Sequence, residues 1–171
     1  MCRASSFWIA LLVLAFGTAS ERGLALSSDK DQPIELEADG VELDEGRGIS
    51  IYRGDVELNQ GTMRLNADQL TVTHAGTRPT KIVAEGRPVR FRQLPDDSKQ
   101  FVYGRAQRAE YGIDSEELVL IGNARLEQGD DSFQSDRIVY DRINARIKAG
   151  AAAEGKERVK ITISPSTLKS Q

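Results

Sequence analysis

The sequence predicts an all-β protein built on an antiparallel sheet, and three observations carry that prediction. From Pro33 nearly to the end of the chain, apolar residues recur with a period of two. Clusters of Gly, Asp, Asn and Pro interrupt the alternation at short intervals. A strand motif also occurs twice, 68 residues apart, from Gly54 to Gly122. No ten-residue stretch keeps a helical face.

In chain order the alternation runs through Ile34 and Leu36, Val41 and Leu43, Ile49 and Ile51, Val56 and Leu58, Met63 and Leu65, and Leu70 and Val72. It continues through Ile82 and Ala84, Val89 and Phe91, Leu118 and Leu120, Ala124 and Leu126, Ile138 and Tyr140, and Ile147 and Ala149, and ends on Val159, Ile161 and Ile163. Each pair reads as a half-buried strand of about four to seven residues. The breaks, such as Asp44-Glu45-Gly46, Gly76-Thr77-Arg78-Pro79, Pro95-Asp96-Asp97 and Gly129-Asp130-Asp131, are turn chemistries that join neighbouring antiparallel strands.

The repeat aligns Gly54-Asp55-Val56-Glu57-Leu58-Asn59-Gln60-Gly61 with Gly122-Asn123-Ala124-Arg125-Leu126-Glu127-Gln128-Gly129 without a gap. Ala38 and Val41 meet Ala106 and Ala109 upstream; Leu65, Asp68 and Leu70 meet Phe133, Asp136 and Ile138 downstream. A weaker half-repeat at a spacing of 29 relates Asp39 to Asp68 and Gln107 to Asp136. Stacked, similar strand layers produce such a pattern. Short strands and an aromatic content of 6% argue against an outer-membrane barrel, whose strands need about 9 to 11 residues and aromatic girdles. A closed sandwich, a solenoid and an open, curled sheet remain. The inward candidates are mostly Ile, Leu, Val and Ala, with Phe91, Tyr111 and Phe133 as the bulky exceptions.

The N-terminus reads as a secretory signal over residues 1–25: Arg3, then the apolar run Phe7 to Phe16, then small residues. Cleavage is expected after Ala25 in preference to Ser20. The run is too short to span a bilayer, which takes roughly 20 residues. Cys2, the only cysteine, leaves with the signal, so neither a disulfide nor a thiolate metal site is expected. Without residues 1–25 the formal charge moves from -3 to -4, because Arg3, Arg22 and Glu21 are lost. An acidic chain is a poor match for a nucleic-acid backbone. The remainder suits one domain, residues 26–165, with a short tail at 166–171.

The chemistry-bearing residues are few. Gly150-Ala-Ala-Ala-Glu-Gly155-Lys156 fits seven positions of a phosphate-binding loop, but Glu157 stands where Ser or Thr must ligate a metal, and no α/β unit surrounds it. His74 is the only histidine and is expected in an exposed turn; no nucleophile elbow accompanies it. Asp68 and Asp136 could suggest paired glycosidase carboxylates. Their recurrence in equivalent repeat positions favours a backbone-satisfying role instead. Arg87, Arg90 and Arg92 surround Pro88 and Phe91, with Arg105 and Arg108 following. They read as a solvated strand face or, beside an apolar groove, as a basic rim for phosphorylated groups.

Asp31-Gln32-Pro33-Ile34, Tyr52-Arg53-Gly54-Asp55-Val56, Gln60-Gly61, Asn66-Ala67-Asp68, Gly86-Arg87-Pro88-Val89-Arg90-Phe91 and Gly122-Asn123-Ala124 with Gln128 follow one another in an order that resembles the LptA/OstA family of lipopolysaccharide export. The resemblance covers nearly all of residues 29–165. It implies an OstA-like β-jellyroll, an open, V-shaped antiparallel sheet of about sixteen short strands whose interior holds the acyl chains of lipid A. It implies residence in the periplasm and head-to-tail stacking through sheet edges. The stacking partners are an inner-membrane bitopic component of the same fold, the N-terminal domain of an outer-membrane translocon, and further copies of the chain. On the family's pattern, Ile34, Leu36, Phe91, Tyr111 and Ile113 line the lipid groove, and Arg87, Arg90 and Arg92 form a candidate headgroup rim. No cofactor, metal or catalytic residue is expected. Two other readings compete: a β-solenoid enzyme acting on envelope polysaccharide through Asp68, Asp136 and the arginines, and a structural adaptor that binds no lipid.

Overall fold

In the computed structural model, which describes residues 29–95, 98–144 and 146–165, the chain forms one antiparallel sheet of ten strands. These are β1 (Glu35–Glu37), β2 (Gly40–Asp44), β3 (Ile49–Gln60), β4 (Met63–Ala75), β5 (Arg78–Gln93), β6 (Val102–Gly112), β7 (Glu117–Gln128), β8 (Asp131–Asp141), β9 (Arg146–Ala149) and β10 (Lys160–Thr162). β3 to β8 pair in sequence order. β1 and β2 both pair with β3, each on one half of it; β9 and β10 divide β8 in the same way. The result is eight layers, the first and last of them split.

Every pairing from β3–β4 to β7–β8 has a register shift near its middle: at Arg53/Val56, Asn66/Gln69, Glu85/Val89, Arg105/Arg108 and Ile121/Ala124. Bulges bend a strand and increase its twist, and five of them in line fold the whole sheet along one axis. One wing then runs from β2 to β9, the other from β1 to β10. Across the bend the inward residues are three or five apart in β4, β5, β6 and β8 (Ala67 to Leu70, Ala84 to Val89, Ala106 to Ala109, Ser135 to Ile138), and in β3 and β7 the alternation skips over Gly54 and Gly122. This interruption of the apolar run makes six long strands of 11 to 16 residues read in the sequence as twelve short ones. The expectation of about sixteen strands corresponds to sixteen half-strands.

The duplicated motif lies on the fold axis. Gly54-Asp55 in β3 and Gly122-Asn123 in β7 both adopt left-handed backbone, with φ of 78° and 39° in the first pair and 78° and 48° in the second. Gly is favoured there because it has no Cβ, and Asp and Asn tolerate that region better than most other residues. The half-repeat positions cover the bend: Asp39 sits where a Cβ on Gly54 would be, and Gln107 where one on Gly122 would be. Asp136 accepts hydrogen bonds from Lys156 N at 2.6 Å and Ser135 Oγ at 3.0 Å, and Asp68 accepts one from Arg87 Nε at 3.2 Å. The Lys156 amide is the first cause of Asp136 being held below the ordinary carboxylate range. Asp136 therefore satisfies backbone at the bend, whereas the partner of Asp68 is the exposed side chain of Arg87.

The apolar face turns into the fold, and burial is deepest at the axis. Val56, Leu70, Ala84, Val89, Leu120, Ala124 and Ile138 are all at most 1% exposed. One pair departs from the sequence reading. Ile49 and Ile51 lie opposite Thr73 and Thr71 on the outer face, while Ser50 and Tyr52 align inward with Val72 and Leu70. His74 also differs from expectation: it is half-buried at the end of β4, its N–H donating to Gly48 O at 2.8 Å, rather than in an exposed turn. Residues 1–25 and 166–171 lie outside the described residues.

Candidate binding groove

Residues directly opposite one another in an antiparallel ladder share a face, so the registers trace continuous apolar rows across the sheet. In the β1–β10 wing one row runs Leu36, Leu58, Leu65, Phe91, Gly104, Leu126, Phe133, Ile161. In the other wing a row runs Leu43, Ser50, Val72, Ile82, Tyr111, Leu118, Tyr140, Ile147. Toward the strand tips burial relaxes: Met63, Leu65, Val72, Ile82, Phe133 and Tyr140 are only partly buried against the core. The two wings thus bound a trough, closed at the bend and apolar along its walls.

Of the five groove candidates, Leu36, Phe91 and Tyr111 pack partly buried against this common core. Leu36 and Phe91 share the first row. Phe91 lies over Gly104, occupying the space a Cβ would need, so its ring fills wall as well as facing the trough. Tyr111 belongs to the opposite wing, where its hydroxyl accepts from Arg142 Nη1 at 3.0 Å and the guanidinium lies 5.9 Å from the ring centroid. Ile113 follows the end of β6, half-buried, its N–H donating to Thr80 O at 3.0 Å. Ile34 precedes β1 and is 55% exposed at the sheet's first edge. Met63, Val72, Ile82 and Tyr140 were named from the sequence only as members of half-buried strands and not as groove residues; pairing register and partial burial put them on the walls.

Arg90 and Arg92 stand on the opposite face of the sheet from the trough, because their neighbours Val89 and Phe91 point inward. Arg87 lies at the bend, its side chain 92% exposed and paired to Asp68. The Gly150–Ala153 segment of the loop-like motif is a short 3-10 turn between β9 and β10. That is not the strand-to-helix setting a phosphate loop needs. No group of three His, Cys, Asp or Glu side chains is placed to hold a metal among the described residues, and no helix there is long and apolar enough to cross a membrane.

The inner rows end uncovered at both edges. Ile34, Val41 and Leu43 are 55 to 64% exposed at the first edge, and Ile161 and Ile163 are 52 and 53% exposed at the last. Within the sheet β1 and β2 pair only with β3, and β9 and β10 only with β8. One side of each edge therefore offers free backbone donors and acceptors.

This arrangement defines a class: an open β-trough, apolar within and free at both edges. The chain belongs to the family described as LptA/(LptD N-terminal domain) LPS transport protein, whose sequence model matches residues 35–146. It is 35% identical over 161 residues to the lipopolysaccharide export system protein LptA of Escherichia coli K12, covering 92% of this chain and 85% of that protein. It is 33% identical over 146 residues to the lipopolysaccharide export system protein LptH of Pseudomonas aeruginosa, covering 82% and 83%. The crystal structure of LptH, described as the LptA-homologous periplasmic component of the lipopolysaccharide transport device, superposes with a TM-score of 0.72 at 29% identity, covering 81% of this chain and 99% of that one.

Proposed function

We propose that this protein carries lipopolysaccharide across the periplasm, holding its acyl chains in the trough, and forms a bridge by stacking edge to edge. The observation that carries the reading is that two apolar rows run from first edge to last and end exposed. Each buried CH₂ contributes about 0.8 kcal/mol, so a lipid with several chains of about a dozen carbons loses tens of kcal/mol if its tails enter water. A trough continuous between subunits keeps the tails covered at every point. Family membership and the export role of the relatives support the same reading, and a carrier of this kind needs no catalytic group.

The edges support head-to-tail stacking on geometric and electrostatic grounds. Eight layers alternate in direction, so the last layer of one copy is antiparallel to the first of the next. β1 carries Glu35 and Glu37 and no basic residue, while β9 and β10 carry Arg146, Lys148 and Lys160 and no acidic one; Glu42 and Asp44 of β2 are already paired with Arg53 and Arg47. Opposite charges meet in the head-to-tail arrangement, whereas like edges repel. The same edges suit a similar domain of an inner-membrane component and the N-terminal domain of an outer-membrane translocon. Ile34, Leu36, Phe91, Tyr111 and Ile113 are the residues assigned to the lipid path.

The test is mass spectrometry of lipid co-purifying with the chain lacking residues 1–25, expressed with export to the periplasm of a lipopolysaccharide-producing host. Lipopolysaccharide is expected, with at least tenfold less in Ile34→Asp, whose site is already 55% exposed and tolerates a polar side chain. Glycan turnover without bound lipid would overturn the carrier reading in favour of an enzyme. Polymers without bound lipid would leave only an adaptor. Wild-type loading by folded Ile34→Asp would remove that residue from the path.

A further inference from the structure

The two wings treat most of their outer-face basic residues in opposite ways. On the β2–β9 wing those of β3, β5 and β6 are paired: Arg53 with Glu42 at 2.9 Å, Lys81 with Glu110 at 2.7 Å, and Arg108 with Glu85 at 2.5 Å and Glu110 at 2.7 Å, whereas Arg137 of β8 has a buried Nε without a hydrogen-bond partner among the described residues. Glu110 is held below the ordinary carboxylate range, first by the hydrogen bond from Lys81 and then by that from Arg108. On the β1–β10 wing arginine faces arginine. Arg90 lies directly opposite Arg105, Arg105 opposite Arg125, and in the adjacent row Arg64 opposite Arg92. Like charges in directly opposed positions destabilise a sheet.

Compensation is sparse there. Among the described residues Arg125 alone of the five has an ion pair, to Glu127, while Arg92 lies over the Phe101 ring at 5.4 Å with a buried Nε that has no hydrogen-bond partner. A cleft of about 480 Å³ adjoins the ladder at the bend, its polar lining formed by Arg87, Arg105, Gln107, Asn123 and Gln134. No carboxylate lines it. Arg87 is the one member with an anionic partner, Asp68, in an exposed pair that a stronger anion can replace. In a chain of net charge -3, this concentration of unanswered guanidinium groups beside amide donors has the chemistry of a site for phosphoryl and hydroxyl groups.

We propose that the outer face of the β1–β10 wing binds a phosphorylated saccharide, with phosphoryl groups on the Arg90–Arg105–Arg125 ladder and the sugar in the cleft at the bend. Adjacent strands are about 4.8 Å apart, so the ladder accepts phosphoryl groups roughly 5 to 10 Å from one another. The site uses none of the groove residues. It deepens the export reading, in which the cargo's saccharide end stays in water, yet it does not depend on acyl-chain binding.

Titration calorimetry at low ionic strength tests it with water-soluble probes, glucose 1,6-bisphosphate and inorganic pyrophosphate. The bisphosphate is expected to bind saturably and more tightly than pyrophosphate. Arg105→Gln should weaken it at least tenfold while raising the thermal midpoint, since the substitution relieves repulsion. Arg53→Gln, at a paired position of the β2–β9 wing, should leave affinity within twofold. Absence of saturable binding at millimolar probe, equal affinity in Arg105→Gln, or equal weakening by Arg53→Gln overturns the site. Pyrophosphate binding as tightly as the sugar bisphosphate overturns the saccharide assignment. Because neither probe has an acyl chain, these outcomes are separate from the lipid analysis of the trough.

Discussion

Leu43→Asp isolates the contribution of an edge to stacking. Leu43 stands on β2, paired to Ser50 on one side and to no strand among the described residues on the other, and is 64% exposed. Full burial of a leucine side chain contributes about 1.5–3 kcal/mol, so the exposed share still available to a docked β9 is worth about 1–2 kcal/mol. Aspartate loses that share and faces the apolar Ile147 row of the incoming copy with an uncompensated charge. The combined loss is at least about 2 kcal/mol, or roughly 30-fold in association constant. The fold should hardly respond, because only about a third of the side chain was buried to begin with. Sedimentation velocity over a concentration series reads the association, and circular dichroism melting at the lowest concentration reads the fold. Undiminished association by folded Leu43→Asp would refute the edge as the contact surface.

Two further outcomes test the strand tips and a wall of the trough. Asp29 is 7% exposed and accepts hydrogen bonds from Thr62 N at 2.6 Å, Thr62 Oγ1 at 2.7 Å and Gln93 Nε2 at 3.0 Å. Burial raises its pKa, but the hydrogen bonds from Thr62 and Gln93 and the charge of Arg142 together hold it below the ordinary value of 3.8. Its stabilising contribution is therefore complete above that value and lost as pH falls through the lower, folded-state pKa. Asp29→Ala should cost about 1–3 kcal/mol at neutral pH, and urea melts should show the difference from wild type shrinking below about pH 4; a constant difference would contradict the linkage. Gly104→Ala should destabilise by about 1–3 kcal/mol, against the usual gain from replacing glycine, because the new methyl collides with the Phe91 ring. In a Phe91→Leu background the same change should cost clearly less, and equal costs in both backgrounds would deny the contact.

Several features of the fold were legible in the residues themselves. Alternation identified strands, turn residues identified their ends, and the Gly54 and Gly122 pair marked two equivalent points of the sheet. The halves of each long strand were legible as separate strands because the bend interrupts the apolar run, by an odd spacing in β4, β5, β6 and β8 and by Gly54 and Gly122 in β3 and β7. Ile49 and Ile51 misled because hydropathy alone ranks them above Ser50 and Tyr52. Pairing with Leu70 and Val72 decides the face, and pairing is a long-range property. The arginines were visible as a cluster around Phe91, yet their opposition to Arg105, Arg125 and Arg64 emerges only from register.

By itself the sequence determined the all-β class and the duplication, since each follows from residue type and short spacing. Tertiary structure alone decided where the sheet bends, which apolar residues close the core and which remain on the trough walls, and which charges are answered across strands. Those outcomes depend on partners tens of residues away in sequence, and an alternating pattern is compatible with many registers until the aligned bulges and the buried rows select one.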